Sequence, residues 1–569
     1  MNLRLRVEWV RKLKNEEAIR ECRWKTPVEW DDVDIHVFSE NDLNDLLALM
    51  ATMPREKGTH AVTRKIKVFR QLNKDVQGVK ISQLEPLVTA IRLIMLKNTT
   101  KHWLFSETED GYMVPWYVHY VEYTPPNPET EDGYMVPWYV HYVEYTPPNP
   151  ERGTPAKTEV HLLASRLGTQ IASVLNFSTS ELGATAEELL RQRGYLLESP
   201  ELLQVYEEEN HYYQQHATRL GEQYWADGSS LDLSGSDVMP MKVDGVPARV
   251  VMDNSDEEHS SYRDTSEKSV SAAFWLDEDE SEEAQEASVV ELPVQAYVRV
   301  FDLRRHEYRI IHVKNLTPYD YDDALVDKLI LPERRKYLLK VLVSETGSQL
   351  EDIVRGKTGG TLVISTGEAG TGKTLTAEIF SEQMRRPLYC VQCSQLGIDV
   401  DSLEKELNLV LTRARRWRAI ILIDEADVYV HERGEDLVQN AIVGVFLRTL
   451  EYYNGVIFMT SNRDTVIDDA IMSRSSVWMP YSIPSIDDAA SIWRVLSAQY
   501  GVKLTPADIT QLTIYSAFKG ISGRSIKNLL RLACRVAAYE KTAVTVEMLK
   551  MAGEHVALET GDRATRKKS

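Results

Sequence analysis

The octapeptide at 367–374, GEAGTGKT, constrains the fold more than any other feature of this sequence. The apolar run TLVIST (361–366) before it is typical of a buried strand, and LTAEIFSEQM after it has the apolar spacing of a helix. Together they fit GxxxxGK[ST], in which backbone N–H groups surround phosphates at a helix amino terminus. The predicted phosphate-binding residues are Gly367, Glu368, Ala369, Gly370, Thr371, Gly372, Lys373 and Thr374.

Two side chains of this loop carry the predicted chemistry. Lys373 is expected to reach the β- and γ-phosphates of ATP, and Thr374 to place its hydroxyl on Mg²⁺. The alternative is a glycine turn that exposes a surface lysine. The strand–loop–helix context favours phosphate binding over that alternative.

A second motif, IILIDEAD (420–427), ends an apolar run in two acids. Asp424 is expected to hold the magnesium through water, and Glu425 to polarise the water that attacks the γ-phosphate. The alternative is a strand end with solvated acids. A phosphate-binding loop upstream favours the catalytic interpretation.

Strand-like and helix-like segments alternate after about Pro318, which predicts an α/β fold with a parallel sheet between helices. Three helical patterns after Ser485 predict a small lid. The five apolar runs are 361–366, 387–393, 419–424, 455–461 and 476–483.

DEAD after an apolar run, a strand ending in TSN and a helical segment containing GR together resemble the AAA+ superfamily. The resemblance spans about residues 300 to 555, and is greatest to AAA-family ATPases of bacterial, phage and fungal type with an N-terminal region of unassigned role. It implies a P-loop AAA+ αβα sandwich with a five-stranded parallel sheet and a C-terminal helical lid. It also implies ATP and Mg²⁺ as ligands and ATP hydrolysis as the activity.

The resemblance assigns roles to three further residues. Asn462 matches the sensor that holds the water near the γ-phosphate, and Arg524 matches a second sensor on the lid. Arg474 matches an arginine finger given to the neighbouring subunit of a homo-oligomeric ring, six subunits by resemblance. The alternatives are a turn residue for Asn462 and solvated surface arginines for the other two.

Two departures from the family pattern limit this resemblance. The segment MSRSS offers Arg474 where many AAA proteins have two arginines. SQLGIDVDS (394–402) has no aromatic residue at the position of a polypeptide-gripping pore loop, although Leu396 and Ile398 are expected to be able to face a pore. Threading of a polypeptide is therefore in doubt.

The predicted organisation is a mixed α/β region (1–226), a hairpin-containing region (227–317), the nucleotide-binding core (318–484), the lid (485–560) and a basic tail (561–569). Residues 107–128 recur unchanged at 129–150, and each copy predicts one strand. A recent duplication or an assembly error, with one copy added to a sheet edge or looped out, is favoured over a functional doubling. Hairpins are expected around Asp244–Gly245 and within 294–313. The acidic run 276–286 predicts a solvated loop or, alternatively, a partner-docking segment.

Composition restricts the partners. A net charge of −20 argues against a broad basic grip on nucleic acid. The absence of an apolar run near 18 residues or a signal-peptide core predicts a cytoplasmic chain without membrane association. Cys390 and Cys393 form a single CxxC, for which core packing is favoured over zinc.

Two functional classes follow. The first is an ATPase that remodels a protein or protein–nucleic-acid partner recognised by the N-terminal region. The alternative is a slow nucleotide-dependent switch or scaffold, whose partner binding is gated by ATP.

Overall fold

The structure is a computed structural model that describes residues 78–124, 156–235, 237–255, 289–343, 360–397, 400–430, 437–451, 453–462 and 467–555, apart from 168, with 2–6, 32–36, 48, 67 and 269–271. The chain divides into two units that interleave along the sequence. The first comprises Met1–His216 and Asp256–Tyr297, and the second comprises Ala217–Ser255 and Val298–Ser569.

The first unit is built on a six-stranded sheet of order β14-β5-β4-β3-β7, with β6 paired to β5. Helix α1 (Leu84–Asn98) packs its apolar face on this sheet and buries Leu87, Ile91 and Ile94 completely, because these residues recur at helical spacing. The strands are β3 (Trp103–Glu107), β4 (Met113–Thr124), β5 (Lys157–Arg166), β6 (Thr169–Phe177), β7 (Tyr195–Leu197) and β14 (Val294–Gln295), and the other helices are α2 (Ala186–Gln192) and α3 (Pro200–Ala217). Two small two-stranded sheets are β1 (Asn2–Arg6) with β2 (Asp32–His36), and β12 (Ser269–Ser271) with β13 (Val289–Glu291).

The first copy of the repeat forms the strand that its alternating pattern predicts. It supplies β4, a central strand that pairs antiparallel with both β3 and β5. Side chains of the copy fill the core of the first unit, with Tyr117 and Val118 completely buried. The second copy and the acidic run 276–286 lie outside the described residues.

The second unit begins with a seven-stranded sheet of order β10-β9-β16-β15-β11-β8-β17. The hairpin expected at Asp244–Gly245 is a single bridge between Val243 and Val246, because the next strand pairs elsewhere in the sheet. The hairpin expected within 294–313 forms β15 and β16, which are neighbours. The strands are β8 (Gln223–Ala226), β9 (Ser229–Leu231), β10 (Val238–Pro240), β11 (Ala248–Met252), β15 (Tyr297–Asp302), β16 (Glu307–His312) and β17 (Leu316–Pro318).

This seven-stranded sheet crosses the segments that the sequence predicts. The predicted limit at 226/227 follows β8 directly, and the limit at 317/318 falls inside β17. The two strands are nevertheless paired with each other.

All five predicted parallel strands are present in the second sheet of this unit, in the order β19-β20-β21-β18-β22. Their pairings are parallel throughout, and the three inner strands β20, β21 and β18 are almost fully buried, which explains their largely apolar sequences, whereas the edge strand β22 exposes Trp478 and Pro480. The fold is therefore the predicted α/β sandwich. The strands are β18 (Thr361–Gly367), β19 (Leu388–Gln392), β20 (Ile420–Asp424), β21 (Val456–Ser461) and β22 (Val477–Tyr481).

Helices flank this sheet and form the lid. Ser485 and Thr505 begin the first two lid helices with capping boxes, and Ser522 caps the third, so polar side chains satisfy the free N–H groups of these helix starts. The flanking helices are α4 (Glu333–Val343), α5 (Lys373–Gln383), α6 (Cys393–Leu396), α7 (Val400–Trp417), α8 (Asp427–Val430), α9 (Leu437–Glu451) and α10 (Asp469–Arg474). The lid helices are α11 (Ile486–Gln499), α12 (Pro506–Ile514), α13 (Gly523–Glu540) and α14 (Val546–His555).

The seven-stranded sheet is fixed to the nucleotide-binding core by a buried charge. The carboxylate of Asp253, fully buried, accepts hydrogen bonds on Oδ2 from Arg416 Nη2 at 2.6 Å, Trp417 Nε1 at 2.9 Å and Tyr308 Oη at 2.9 Å. Phe301 from β15 packs beside them, 4.9 Å between ring centroids from Trp417. The end of α7 is thus joined to the seven-stranded sheet.

Asp253→Ala is expected to lower the free energy of unfolding by about 3–5 kcal/mol, because it leaves the buried guanidinium of Arg416 without its carboxylate. Chemical denaturation of the full chain measures this. The matched control is Asp323→Ala, which removes an Asp–Arg pair of similar length, 2.7 Å to Arg385, from an exposed position. We expect little change for the control, and equal unfolding midpoints for both variants would contradict the prediction.

In the part of the chain that the structure describes, no helix is both long and apolar enough to cross a membrane.

Candidate nucleotide-binding site

The carboxyl ends of three neighbouring strands bring the predicted residues together. Thr366 of β18 lies opposite Ser461 of β21, so Gly367 and Asn462 follow at the same edge. On the other side of β21, the pairing of Ile423 with Met459 places Asp424 beside Thr460. The acidic motif, the phosphate-binding loop and Asn462 therefore share one edge of the sheet.

The backbone of the loop requires glycine at two positions. Gly367 has φ of 133°, and a Cβ there would lie 2.0 Å from the carbonyl oxygen of Tyr481. Gly372, with φ of 103°, is the N-cap of α5, a left-handed conformation that glycine adopts without steric cost. These glycines turn the chain from strand to helix within a few residues, as the motif predicts.

Lys373 is the first residue of α5 and is only 6% exposed. Its Nζ donates hydrogen bonds to the carbonyl oxygens of Gly367 and Glu368, both at 2.7 Å. The ammonium therefore lies inside the curve of the loop. A phosphate in the loop would meet this ammonium and the amino terminus of α5.

Thr374 and Asp424 are in direct contact. The hydroxyl of Thr374 donates to Asp424 Oδ1 at 3.0 Å. A hydroxyl and a carboxylate at this spacing are hard oxygen donors of the kind that Mg²⁺ prefers, so the pair fits the predicted metal. A small divalent ion beside the loop would bind these two side chains while keeping several waters.

Glu425 is exposed at the end of β20, with a left-handed backbone of φ 56°. Its N–H donates to Thr460 Oγ1 at 3.0 Å, and its carbonyl oxygen accepts from Cys393 Sγ at 3.1 Å. The side chain thus projects from a backbone held on both sides of its Cα.

Asp427 is a site residue to which sequence reasoning gave no role. Its Oδ1 accepts from Ser461 Oγ at 2.5 Å and from the N–H of Asn462 at 3.2 Å. The last acid of DEAD thereby fixes the end of β21, where Asn462 begins. The sequence signal that could have found Asp427 was its place as the fourth residue of DEAD, beside the acids of the site.

The lid touches the phosphate-binding loop at the start of α13. The N–H of Arg524 donates to the carbonyl oxygen of Gly370 at 3.3 Å, and the Arg524 side chain is exposed. This backbone contact places Arg524 beside the loop, and its role as a second sensor stays a prediction.

Arg474 lies at the other end of the sheet. It ends α10, and the N–H of Ser476, two residues later, donates to the carbonyl oxygen of Leu362 at 2.8 Å. Leu362 stands at the amino end of β18, about 16 Å of strand from Gly367. The structure therefore does not bring Arg474 to the phosphate-binding loop of its own chain.

Burial disfavours both zinc binding by Cys390 and Cys393 and a pore-facing position for Leu396. Cys390 and Cys393 are free and half-buried, and burial raises the pKa of each thiol to about 11, which disfavours the thiolate that zinc binds. Leu396 is completely buried in the core of the second unit, so the prediction that it can face a pore is wrong. Ile398 lies outside the described residues.

A parallel five-stranded sheet with this loop, this acid pair and a helical lid defines a P-loop nucleotide-binding domain. Residues 363–481 match the family described as "ATPase family associated with various cellular activities (AAA)". The chain thus carries an AAA ATPase domain, which confirms the predicted superfamily.

Curated relatives are distant and match part of the chain. A 26S proteasome regulatory subunit homolog of Methanothermobacter marburgensis is 27% identical over 176 residues, 29% of this chain and 46% of the relative. CD-NTase-associated protein 6 of Escherichia coli is 28% identical over 181 residues, 28% of this chain and 59% of the relative. ATP-dependent zinc metalloprotease FtsH 3 of Sphaerobacter thermophilus is 25% identical, 31% of this chain and 37% of the relative. The chain spans about half the length of the curated relatives it matches.

Two solved structures are similar to part of the chain. The AAA domain of FIGL-1 in complex with ADP is 20% identical with a TM-score of 0.34, covering 42% of this chain and 87% of that one. A chain of the E. coli MS115-1 HORMA:CdnC:Trip13 complex is 19% identical with a TM-score of 0.32, covering 41% and 88%.

Proposed function

We propose that this chain binds ATP with Mg²⁺ and hydrolyses it to ADP and phosphate. The observation that carries the proposal is the contact between the two motifs, in which Thr374 Oγ1 donates to Asp424 Oδ1 at 3.0 Å beside the buried ammonium of Lys373. Glu425 is exposed one residue further on, where a water facing the γ-phosphate can reach it.

Each side chain then has a task. Lys373 would exchange its two carbonyl partners for phosphate oxygens, while Thr374 and Asp424 would hold the magnesium. Magnesium held there would supply positive charge that offsets the charge on the phosphates. Glu425 orients the attacking water and accepts its proton as a general base. In the same proposal, Asn462 holds that water, and Arg524 reports the γ-phosphate to the lid.

Replacing Lys373 tests the binding half of this proposal. Lys373→Ala is expected to weaken ATP binding about 10- to 100-fold, because charge-assisted hydrogen bonds contribute about 1.5–3 kcal/mol. Isothermal calorimetry with MgATP measures the affinity, and phosphate release by the wild type measures hydrolysis. The control is Lys405→Ala, which removes an exposed lysine of α7. Unchanged affinity in Lys373→Ala, or a wild type that releases no phosphate, would contradict the proposal.

The use to which hydrolysis is put is a further proposal. We infer that the chain remodels a protein or protein–nucleic-acid partner held by the N-terminal unit. The names of two relatives, a proteasome regulatory subunit homolog and an ATP-dependent metalloprotease, favour a protein partner. Because 394–402 contains no aromatic residue, we favour partner binding by a mode other than threading through a pore loop.

The alternative function is a slow switch or scaffold gated by ATP. A partner that raises steady-state turnover severalfold supports remodelling, whereas ATP-dependent partner binding at unchanged low turnover supports the switch. We place either activity in the cytoplasm, in a homo-oligomeric ring with six subunits as the expected number.

A further inference from the structure

Thr460 joins the two acids of the site through one hydroxyl. It lies on β21 and is 3% exposed. Its Oγ1 donates to Asp424 Oδ1 at 2.5 Å and accepts the N–H of Glu425 at 3.0 Å. Its carbonyl oxygen accepts from the N–H of Ala426 at 2.8 Å.

The direction of both side-chain hydrogen bonds is fixed. A backbone N–H can only donate, and an ionised carboxylate can only accept. The single hydroxyl proton of Thr460 therefore points to Asp424, while its lone pair receives Glu425. One buried side chain thus sets the orientation of the carboxylate of Asp424 and the backbone position of Glu425.

The backbone of Glu425 needs this support. A residue with a side chain is disfavoured at φ of 56° and stays there only where its surroundings hold it. Thr460 supplies two of the hydrogen bonds at this turn, one through its hydroxyl and one through its carbonyl oxygen. Loss of the hydroxyl leaves the N–H of Glu425 without this partner. The orientation of the Glu425 carboxylate is then no longer fixed by Thr460.

We propose that Thr460 is a positioning residue for hydrolysis, which keeps the carboxylates of Asp424 and Glu425 in register with each other. The proposal rests on the ATPase function proposed above. The hydroxyl of Thr460 bonds to Asp424 and to the N–H of Glu425, so we expect it to act on turnover and on the metal rather than on phosphate binding.

The test is Thr460→Val, which keeps the shape of the side chain and removes the hydroxyl. We expect kcat to fall about 10- to 100-fold, because the part-buried N–H of Glu425 loses its partner, while the KM for ATP changes less than about threefold. The Mg²⁺ concentration at half-maximal ATP binding, measured by calorimetry, should rise severalfold. Thr460→Ser should restore both values to within a few-fold of the wild type.

A matched control separates positioning from general damage. Thr513→Val makes the same change at a buried lid threonine whose hydroxyl donates to the carbonyl oxygens of Ile509 and Thr510. It should leave kcat and the Mg²⁺ dependence unchanged. If Thr460→Val unfolds, Thr460→Ser and Thr460→Cys carry the test, because serine keeps the hydroxyl and cysteine replaces it with a weak donor.

The failures of the two proposals are distinguishable. A wild type without turnover overturns the ATPase proposal. An active wild type, an inactive Glu425→Gln and a Thr460→Val with wild-type kcat and Mg²⁺ dependence overturn the role of Thr460 alone. A low kcat that serine fails to restore also overturns it.

Discussion

Glu425→Gln is expected to bind MgATP with wild-type affinity and to hydrolyse it about 10²–10⁴-fold more slowly. The amide keeps the size of the side chain and the N–H bond to Thr460, but it cannot take a proton from the attacking water. Lys373, Thr374 and Asp424 remain in place, so the phosphates and the metal keep their partners. Phosphate release and equilibrium nucleotide binding on the same preparation measure the two effects.

The matched control is Glu404→Gln, which neutralises a carboxylate of α7 that pairs with Arg448 on the surface at 2.9 Å. It should have wild-type turnover. Wild-type turnover in Glu425→Gln would instead show that another group activates the water. Because the slow variant holds ATP, it also serves as a trap for capturing partners of the N-terminal unit.

Much of the core could be predicted from the sequence because its signals are local. A strand buried on both faces is mostly apolar, and the five runs at 361–366, 387–393, 419–424, 455–461 and 476–483 each form a strand, with 387–393 and 476–483 at the edges of the sheet. The phosphate-binding loop was equally readable, since Gly367 and Gly372 adopt backbone angles that favour glycine. Short-range patterns therefore specified both the sheet and its loop.

The pairing of distant segments could not be read in this way. Nothing near Gln223 indicates that β8 pairs with Ala248–Met252 and Leu316–Pro318 in one sheet. Asp253 likewise gives no local signal of its buried contact with Arg416, which lies 163 residues away. Such contacts depend on the register of a whole sheet, because a one-residue shift would move each side chain of a strand to the opposite face.

Thr460 and Leu396 show the same limit at the scale of single residues. The sequence around Thr460 gives no local signal of a contact with the acids, although the parallel register puts Thr460 beside Asp424. Its place in a family pattern indicated only that Leu396 could face a pore, but the side chain, on α6, is buried in the core. The direction of each side chain depends on its local backbone conformation, which the structure gives and the sequence does not.

Arg474→Ala is expected to bind ATP normally and to hydrolyse it about 10³-fold more slowly or worse, as in related systems that use an arginine finger. About 16 Å of β18 separates its end of the sheet from its own loop, so we expect a finger at Arg474 to act on the ATP of another copy. Head-to-tail contacts of this kind close into a ring when the rotation between subunits permits. Specific activity should therefore rise with protein concentration, and ATP should favour assembly by mass action.

Mixing two inactive chains tests this arrangement directly. Arg474→Ala keeps an intact loop, and Lys373→Ala keeps an intact arginine, so one kind of interface in a mixed ring contains both. Activity should return on mixing to a fraction of the wild-type value and depend on the ratio of the chains. The matched control is a chain that carries both Glu425→Gln and Arg474→Ala. Mixed with Lys373→Ala, it should restore no activity, because the subunit with the intact loop lacks the catalytic acid. A monomeric mass in MgATP with undiminished activity, or proven co-assembly without recovered turnover, would contradict a finger supplied by the neighbouring subunit.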